Sequence, residues 1–190
     1  MAEQIRDMFR TQIVCISGKA QHGKDTTANI LREELIQRGY KVLVIHHADL
    51  LKFMARSMFE WDGQKDENGR HLLQYIGTDI VRKKEPNFWV DFLISVFRIF
   101  DGEWDFVIIP DCRFPNEILA YMGAGFYTLH VRVVRENFTS HLTKEQQEHI
   151  SETALDDTEP HIRLINNGSV DDLRHEIREQ VVPVLDLIQT

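Results

Sequence analysis

Apolar residues along this chain fall into two alternating patterns. Short, nearly unbroken runs occupy residues 12–17 (Q-I-V-C-I-S), 41–46 (K-V-L-V-I-H), 105–110 (D-F-V-I-I-P), 126–134 and 162–166. Such runs, bounded by polar or turn-forming residues, predict strands buried on both faces. Between them, apolar positions recur at helical spacing. Residues 24–38 carry Ala28, Leu31 and Leu35 on one stripe and stop at Gly39, which predicts a helix with a glycine terminator. Leu50, Phe53, Met54 and Met58 predict a second helix. A polar loop over 62–69 precedes helical patterns over 71–84 and 88–100, separated by Pro86-Asn87. Pro115-Asn116 marks a further helix start, continued over 117–122, and residues 143–149 form a short helical piece. A closing amphipathic helix spans 170–188 and is expected to kink or divide at Pro183, which lacks the N–H that a helix interior needs. Strands alternating with helices predict an α/β fold, with a mainly five-stranded parallel sheet between two helical layers. No repeat or low-complexity linker divides the sequence, so a single domain over residues 1–190 is expected.

Ligands of such sheets bind beyond the carboxyl ends of the strands. There the first strand runs into G-K-A-Q-H-G-K-D-T, from Gly18 to Thr26. This is a G-x-x-x-x-G-K phosphate loop. Its glycines let backbone N–H groups close round a phosphate, Lys24 reaches the outer phosphates, and the next helix turns its N-terminus toward them. Gly18, Lys19, Gln21, His22, Gly23, Lys24, Asp25 and Thr26 are therefore candidates for binding a nucleoside triphosphate. The position after the lysine ordinarily carries Ser or Thr, whose hydroxyl binds magnesium. Here it is Asp25 with Thr26 next, and a carboxylate is also a hard oxygen ligand. The bland alternative is a strand-to-helix turn with no ligand.

Asp49 and Asp111 follow the second and third strands and should reach the same edge. Asp111 reads as an acid beside magnesium or as a capping aspartate. Arg113 fits a phosphate contact or a pair with Glu117. Asn116 and Glu117 read at least as well as helix-start residues. Lys52 suits an acceptor's phosphate or a solvated surface. Gln74, Thr78 and Arg82, with Tyr75 beside them, form an i, i+4, i+8 row fit to line an acceptor pocket. Arg82-Lys83-Lys84 equally suits a cationic helix end. Trp89 fits stacking on a nucleobase or a place in the core. Arg132 and Arg135 end the fourth strand and open the polar residues 136–160, read as a mobile lid bringing arginines over phosphates or as a solvated insertion. His149, Ser151 and Glu152 come without a G-x-S-x-G elbow, so they suit a helix cap or lid closure better than nucleophilic catalysis.

Composition narrows the class further. With 190 residues, 43% hydrophobic and 27% charged, the chain can bury a substantial core. No apolar stretch approaches the ~20 residues that span a bilayer, and residues 1–12 lack a signal-peptide segment. Two cysteines, Cys15 and Cys112, give no C-x-x-C or zinc spacing and fit a reducing cytoplasm. The nine histidines show no H-E-x-x-H spacing. A net charge of -8 argues against gripping a long nucleic acid but allows a local positive pocket for small nucleotides. A homodimer is left open, and no N-K-x-D motif points to guanine.

Taken together, G-K-A-Q-H-G-K-D-T, A-D-L-L-K, L-L-Q-Y-I-G-T-D-I-V-R, N-F-W-V-D, P-D-C-R-F-P-N-E-I and H-I-S-E-T-A-L-D-D followed by I-N-N-G-S resemble the deoxynucleoside monophosphate kinase family found widely in phages. They run in order over about residues 13–175. The resemblance implies a P-loop kinase fold, ATP and Mg2+ as cofactors, and a (deoxy)nucleoside 5′-monophosphate as acceptor. It implies that the loop from Gly18 to Thr26 takes the ATP phosphates and that Leu51, Lys52 and Arg82 fall in the acceptor site. The chain departs from the family at Ala20, where a lysine or arginine is common; Lys19 is the neighbouring cation. The sites expected from all of this are Lys24, Asp111, Arg113, Arg132 and Arg135 for phosphoryl transfer; Asp49, Leu51, Lys52, Gln74, Arg82 and Trp89 for the acceptor; and Asp25, Thr26 and Asp111 for the metal. Two other readings stand beside this one: a P-loop kinase of another phosphorylated acceptor, such as phosphomevalonate, and a nucleotide-binding regulatory module without transfer.

Overall fold

The structure is a computed structural model that describes residues 9–64, 66–136 and 138–189. Residues 1–8, on which most of the reading of a polar N-terminal segment rests, lie outside the described residues, as do Lys65, Asn137 and Thr190. Among the described residues five strands, β1 (Gln12–Ser17), β2 (Val42–Val44), β3 (Phe106–Ile109), β4 (Thr128–Val134) and β5 (Ile162–Ile165), form one sheet in the order β2-β3-β1-β4-β5. Every pairing is parallel. All six residues of β1 are buried, as a central strand covered on both faces requires. One core lies on the side of α1 (Lys24–Gln37), around Leu31, Leu35, Ile108 and Leu185; the other lies beneath α4 (Phe88–Ile99) and α5 (Pro115–Ala124), around Phe97, Ile109 and Tyr121. The expected α/β architecture with helices on both faces is therefore present. Because β3 and β4 flank β1, the chain switches sides at the β1–α1 turn, where such sheets place ligands.

Several element boundaries differ from the sequence pattern for identifiable reasons. β2 stops at Val44, because His46 turns out of the sheet and its N–H donates to Asp49 Oδ2 at 3.0 Å. That turn leads into α2 (Ala48–Met58). Helix α3 (Glu67–Gln74) starts inside the segment read as loop, since the Asp66 side chain caps it by accepting from Gly69 N at 2.8 Å. Residues Tyr75–Arg82 then continue as a π-helix rather than an α-helix. The polar segment after β4 carries α6 (Lys144–Glu148) and α7 (Ile150–Thr153). At the end of the described chain come α8 (Val170–Glu176) and α9 (Val182–Gln189). The irregularity expected at Pro183 falls just before it, as a π-helical stretch over Ile177–Val181, where the proline's missing N–H breaks the regular ladder. A buried ion cluster pins α1 to this C-terminal part. Glu34, only 1% exposed, accepts from Arg174 at 2.8 Å and from Arg178 at 2.7 Å. Its pKa is lowered to about 2, chiefly by Arg178.

Candidate active site

The turn from β1 into α1 is built on residues of positive φ: Gly18 at 144°, Gln21 at 66° and Gly23 at 97°. A Cβ on Gly18 would lie 2.4 Å from the Val133 carbonyl oxygen, and one on Gly23 would lie 2.4 Å from Asn166 Nδ2. Both glycines are thus required sterically as well as conformationally. Asn166 Nδ2 also donates to the His22 carbonyl at 2.9 Å, and His22 Nδ1 accepts from Arg135 N at 3.1 Å. Lys24 curls over the loop and donates to the carbonyls of Gly18 at 2.8 Å and Lys19 at 2.9 Å. Burial lowers its pKa to about 8, and Arg113 pushes the same way. Asp25 and Thr26 are exposed at the start of α1. Asp25 Oδ1 lies 2.9 Å from His46 Nε2. That contact holds the carboxyl below its usual range and raises the imidazole.

Beside the loop opens a cleft of about 240 Å³. Its walls include Leu51 and Lys52 from α2, Arg70 and Gln74 from α3, Gly77, Thr78 and Arg82 from the π-helical stretch, Trp89, Asp111, Arg113 and Phe114. Leu142, Gln146, Ser151 and Glu152 close it from the segment after β4. Residues from sequence motifs far apart along the chain therefore meet here. Asp49 does not line this cleft; it accepts from His46 N at 3.0 Å and from Lys52 Nζ at 2.8 Å. Trp89 is buried, with its indole N–H donating to the Gly77 carbonyl at 3.0 Å. The π-helical stretch is thereby anchored to α4.

The floor of the cleft is a buried charge network. Asp111 accepts from the N–H groups of His47 and Ala48, both at 2.9 Å, and so caps α2. Burial opposes its ionisation, but the His47 imidazole and the Ala48 N–H outweigh this and hold the carboxyl well below its ordinary range. Glu117 accepts from the backbone N–H groups of Arg113 at 2.7 Å and Phe114 at 3.1 Å, and it pairs with Arg82. Arg82 also lies 4.3 Å over the Phe114 ring. It therefore turns inward instead of forming a solvated cationic helix end. His47 faces both acids, with Nδ1 3.5 Å from Asp111 and 3.8 Å from Glu117, while Nε2 lies 2.9 Å from the Tyr121 hydroxyl. Burial disfavours its charge, but Glu117 and Asp111 raise its pKa overall. Ligand atoms of His47, Cys112 and Glu117 lie within 4.8 Å of one another. Arg82 and two backbone donors already occupy Glu117, whereas the buried His47 Nδ1 has no hydrogen-bond partner.

A second cleft of about 330 Å³ runs along the other side of the loop, lined among others by Gly18, Lys19, His22, Arg132, Asp156 and Arg163. Arg113, Ser151 and Glu152 line both clefts. Arg113 pairs with Glu152, not with the Glu117 side chain, and donates to the Ser151 carbonyl at 3.0 Å. Arg132 donates to the carbonyls of Leu155 and, at 2.7 Å, of Thr158. Arg135 lies 4.8 Å over Phe138. His47, Arg163 and Asp156 were not singled out from sequence. The paired H-H before A-D was the only available hint for His47.

A model of the deoxynucleotide monophosphate kinase family matches residues 46–177, more than half of the chain. The chain belongs to that family. The deoxynucleotide monophosphate kinase of Enterobacteria phage T4 is 31% identical over 111 residues, covering 57% of this chain and 43% of its own length. The chain thus spans less than half of that relative. The uncharacterized protein ORF77 of Ictalurid herpesvirus 1 (strain Auburn) is 28% identical over 175 residues, covering 87% of this chain and 70% of its own. Among solved structures, the Mycobacterium tuberculosis APS kinase CysC in complex with AMPPNP and APS has a TM-score of 0.53 at 14% identity, covering 95% of this chain and 99% of that one. This last likeness is one of fold. The region matched to the deoxynucleotide monophosphate kinase family takes in Lys52, Gln74, Arg82, Asp111 and Arg113 but starts beyond the phosphate loop. No helix among the described residues is long and apolar enough to cross a membrane.

Proposed function

We propose that this family member transfers the γ-phosphoryl group of ATP to a (deoxy)nucleoside 5′-monophosphate, yielding the diphosphate. The observation that carries this reading is the pair of clefts sharing Arg113, Ser151 and Glu152 as a common wall, one along the phosphate loop and one beside it. Such adjacency suits two phosphorylated ligands brought end to end, since in-line transfer rests on positioning and on neutralising charge. The phosphate loop with Lys24 holds the donor. Lys52, Gln74 and Arg82 face the monophosphate, with Trp89 in the wall. Arg113, at the common wall, meets the transferring group, and Arg132 borders the donor side; Arg135 lines neither cleft but donates its backbone N–H to His22 of the loop. The acceptor oxygen is already ionised near neutral pH, so no strong base is required.

Asp25, Asp111 and the Thr26 hydroxyl form a set of hard oxygen donors. Both carboxyls are held below their ordinary range, so they stay ionised, which fits Mg2+. When bound, the ion would neutralise charge on the phosphates; these three residues would hold it or its waters. From the segment after β4, Leu142 and Gln146 line the first cleft and Ser151 and Glu152 line both, which supports a role for this segment as a lid that excludes water. The test is coupled ADP release over all common NMPs and dNMPs, with phosphomevalonate as an outlying acceptor. Turnover stimulated by one or more nucleotides is expected. ATP binding with no acceptor-stimulated turnover would overturn the proposal in favour of a binding module.

A further inference from the structure

The phosphate loop is engaged by an acid from the lid segment. Glu152 places one carboxylate oxygen 3.0 Å from Ala20 N and pairs the other with Arg113. Its side chain is 7% exposed, so this is an interior contact. The same segment occupies the cations around the loop. Lys19 Nζ donates to Asp156 at 2.5 and 2.6 Å and to the Glu152 carbonyl at 2.6 Å, and Arg132 is held by the carbonyls of Leu155 and Thr158. A carboxylate that accepts from a loop N–H and a guanidinium, with an ammonium close by, occupies the environment a phosphate oxygen seeks.

We infer that Glu152 takes the place of an outer phosphate on the loop, and that a polyphosphate must displace it in order to bind. The inference rests on reading the loop as the donor site. Ala20 has one N–H to give, and a carboxylate left beside a polyphosphate is repelled by it. Displacement breaks the Glu152–Arg113 pair and the Lys19–Asp156 pair together. The cations at the wall between the clefts are thus released by the event that seats the donor. Until then, the affinity of the loop for polyphosphate is reduced by the fraction of molecules in which Glu152 fills the seat.

Glu152→Gln tests this. The amide keeps the size and one acceptor for Ala20 N–H, but loses the charge that competes with phosphate. Binding of ATP, inorganic tripolyphosphate and adenosine is measured by calorimetry on the full chain with no acceptor present, for the wild type, Glu152→Gln and Glu152→Ala. Kd for ATP and for tripolyphosphate should fall by about five- to tenfold in either variant, with that for adenosine unchanged. Unchanged or weaker polyphosphate binding in both variants overturns the inference. Equal tightening for adenosine also overturns it, because that marks a loosened segment and not a removed anion. If even the wild type binds neither ATP nor tripolyphosphate, the donor-site reading falls, and this inference falls with it.

Discussion

Asp111→Asn is a near-isosteric change with a structural cost written into its surroundings. Each carboxylate oxygen receives one N–H, from His47 and Ala48, both at 2.9 Å. Asparagine retains one acceptor and turns an NH2 group toward the other amide, leaving donor against donor. A buried donor deprived of its partner costs about 1–3 kcal/mol. Removing a negative charge from a helix N-terminus costs a further ~0.3–1 kcal/mol. His47 keeps only Glu117, at 3.8 Å, of its two carboxylates. A loss of about 2–3 kcal/mol follows, and for a chain of this size the unfolding midpoint falls by roughly 5–10 °C. Depression of the Asp111 carboxyl stabilises the fold above the ordinary carboxyl range and ceases to do so as acid is driven through its own lower value. The deficit of the variant should therefore shrink in strong acid. Thermal and denaturant unfolding of both proteins measure this, alongside initial rates across a magnesium titration, where the variant should need more of the ion. A midpoint within about 2 °C of wild type would refute the capping account. A lowered midpoint with an unchanged magnesium curve would leave Asp111 a structural residue alone.

Lys24→Ala should lower kcat/KM by about 10²–10³-fold without lowering the unfolding midpoint, because the ammonium is held against desolvation; turnover within tenfold of wild type, read from the same coupled assay, would remove this lysine from the mechanism. Arg82→Ala leaves Glu117, 1% exposed in its side chain, without its cation, and should cost about 3–5 kcal/mol in denaturant unfolding; a loss below ~1 kcal/mol would show that the backbone donors alone satisfy Glu117. With Glu34 depressed to about 2, chiefly by Arg178, its stabilising effect is present above the ordinary carboxyl range and lost as pH falls toward about 2. Glu34→Gln should flatten stability over that window, and an unaltered acid profile would refute the assignment. Gly18→Ala must move the Val133 strand or the loop, and calorimetry should detect loss of ATP binding in a folded protein.

The phosphate loop was legible because both of its requirements are local: an apolar run ending at Ser17 and glycines at fixed spacing. The position of Asp111 just beyond a buried strand was legible for the same reason. What escaped the sequence depends on contacts distant along the chain. Glu34 sits on an apparently polar helix face, and its partners Arg174 and Arg178 lie 140 and 144 residues away. Arg113 has two acids in reach, and only the approach of α7 to the loop decides for Glu152. Arg82 was readable as a cleft residue or a solvated helix end, and buried Glu117 is what draws it inward. The row Gln74, Thr78, Arg82 presumed a regular α-helix. The stretch winds as a π-helix, yet all three still border the same cleft, because Trp89 holds it by the Gly77 carbonyl.

The two stops that shape the phosphate loop differ in what inheritance can do to them. At Gly18 the stop is the carbonyl oxygen of Val133, at Gly23 the side-chain amide of Asn166. A main-chain carbonyl is present whatever residue occupies position 133, so drift there can alter packing but leaves that wall standing. The amide at position 166 belongs to a side chain, so one substitution removes it. Divergence between descendants of this protein should therefore reach the loop through the end of β5 far more readily than through β4, and a saturation screen scored on nucleotide binding would find position 166 intolerant where position 133 accepts other apolar residues.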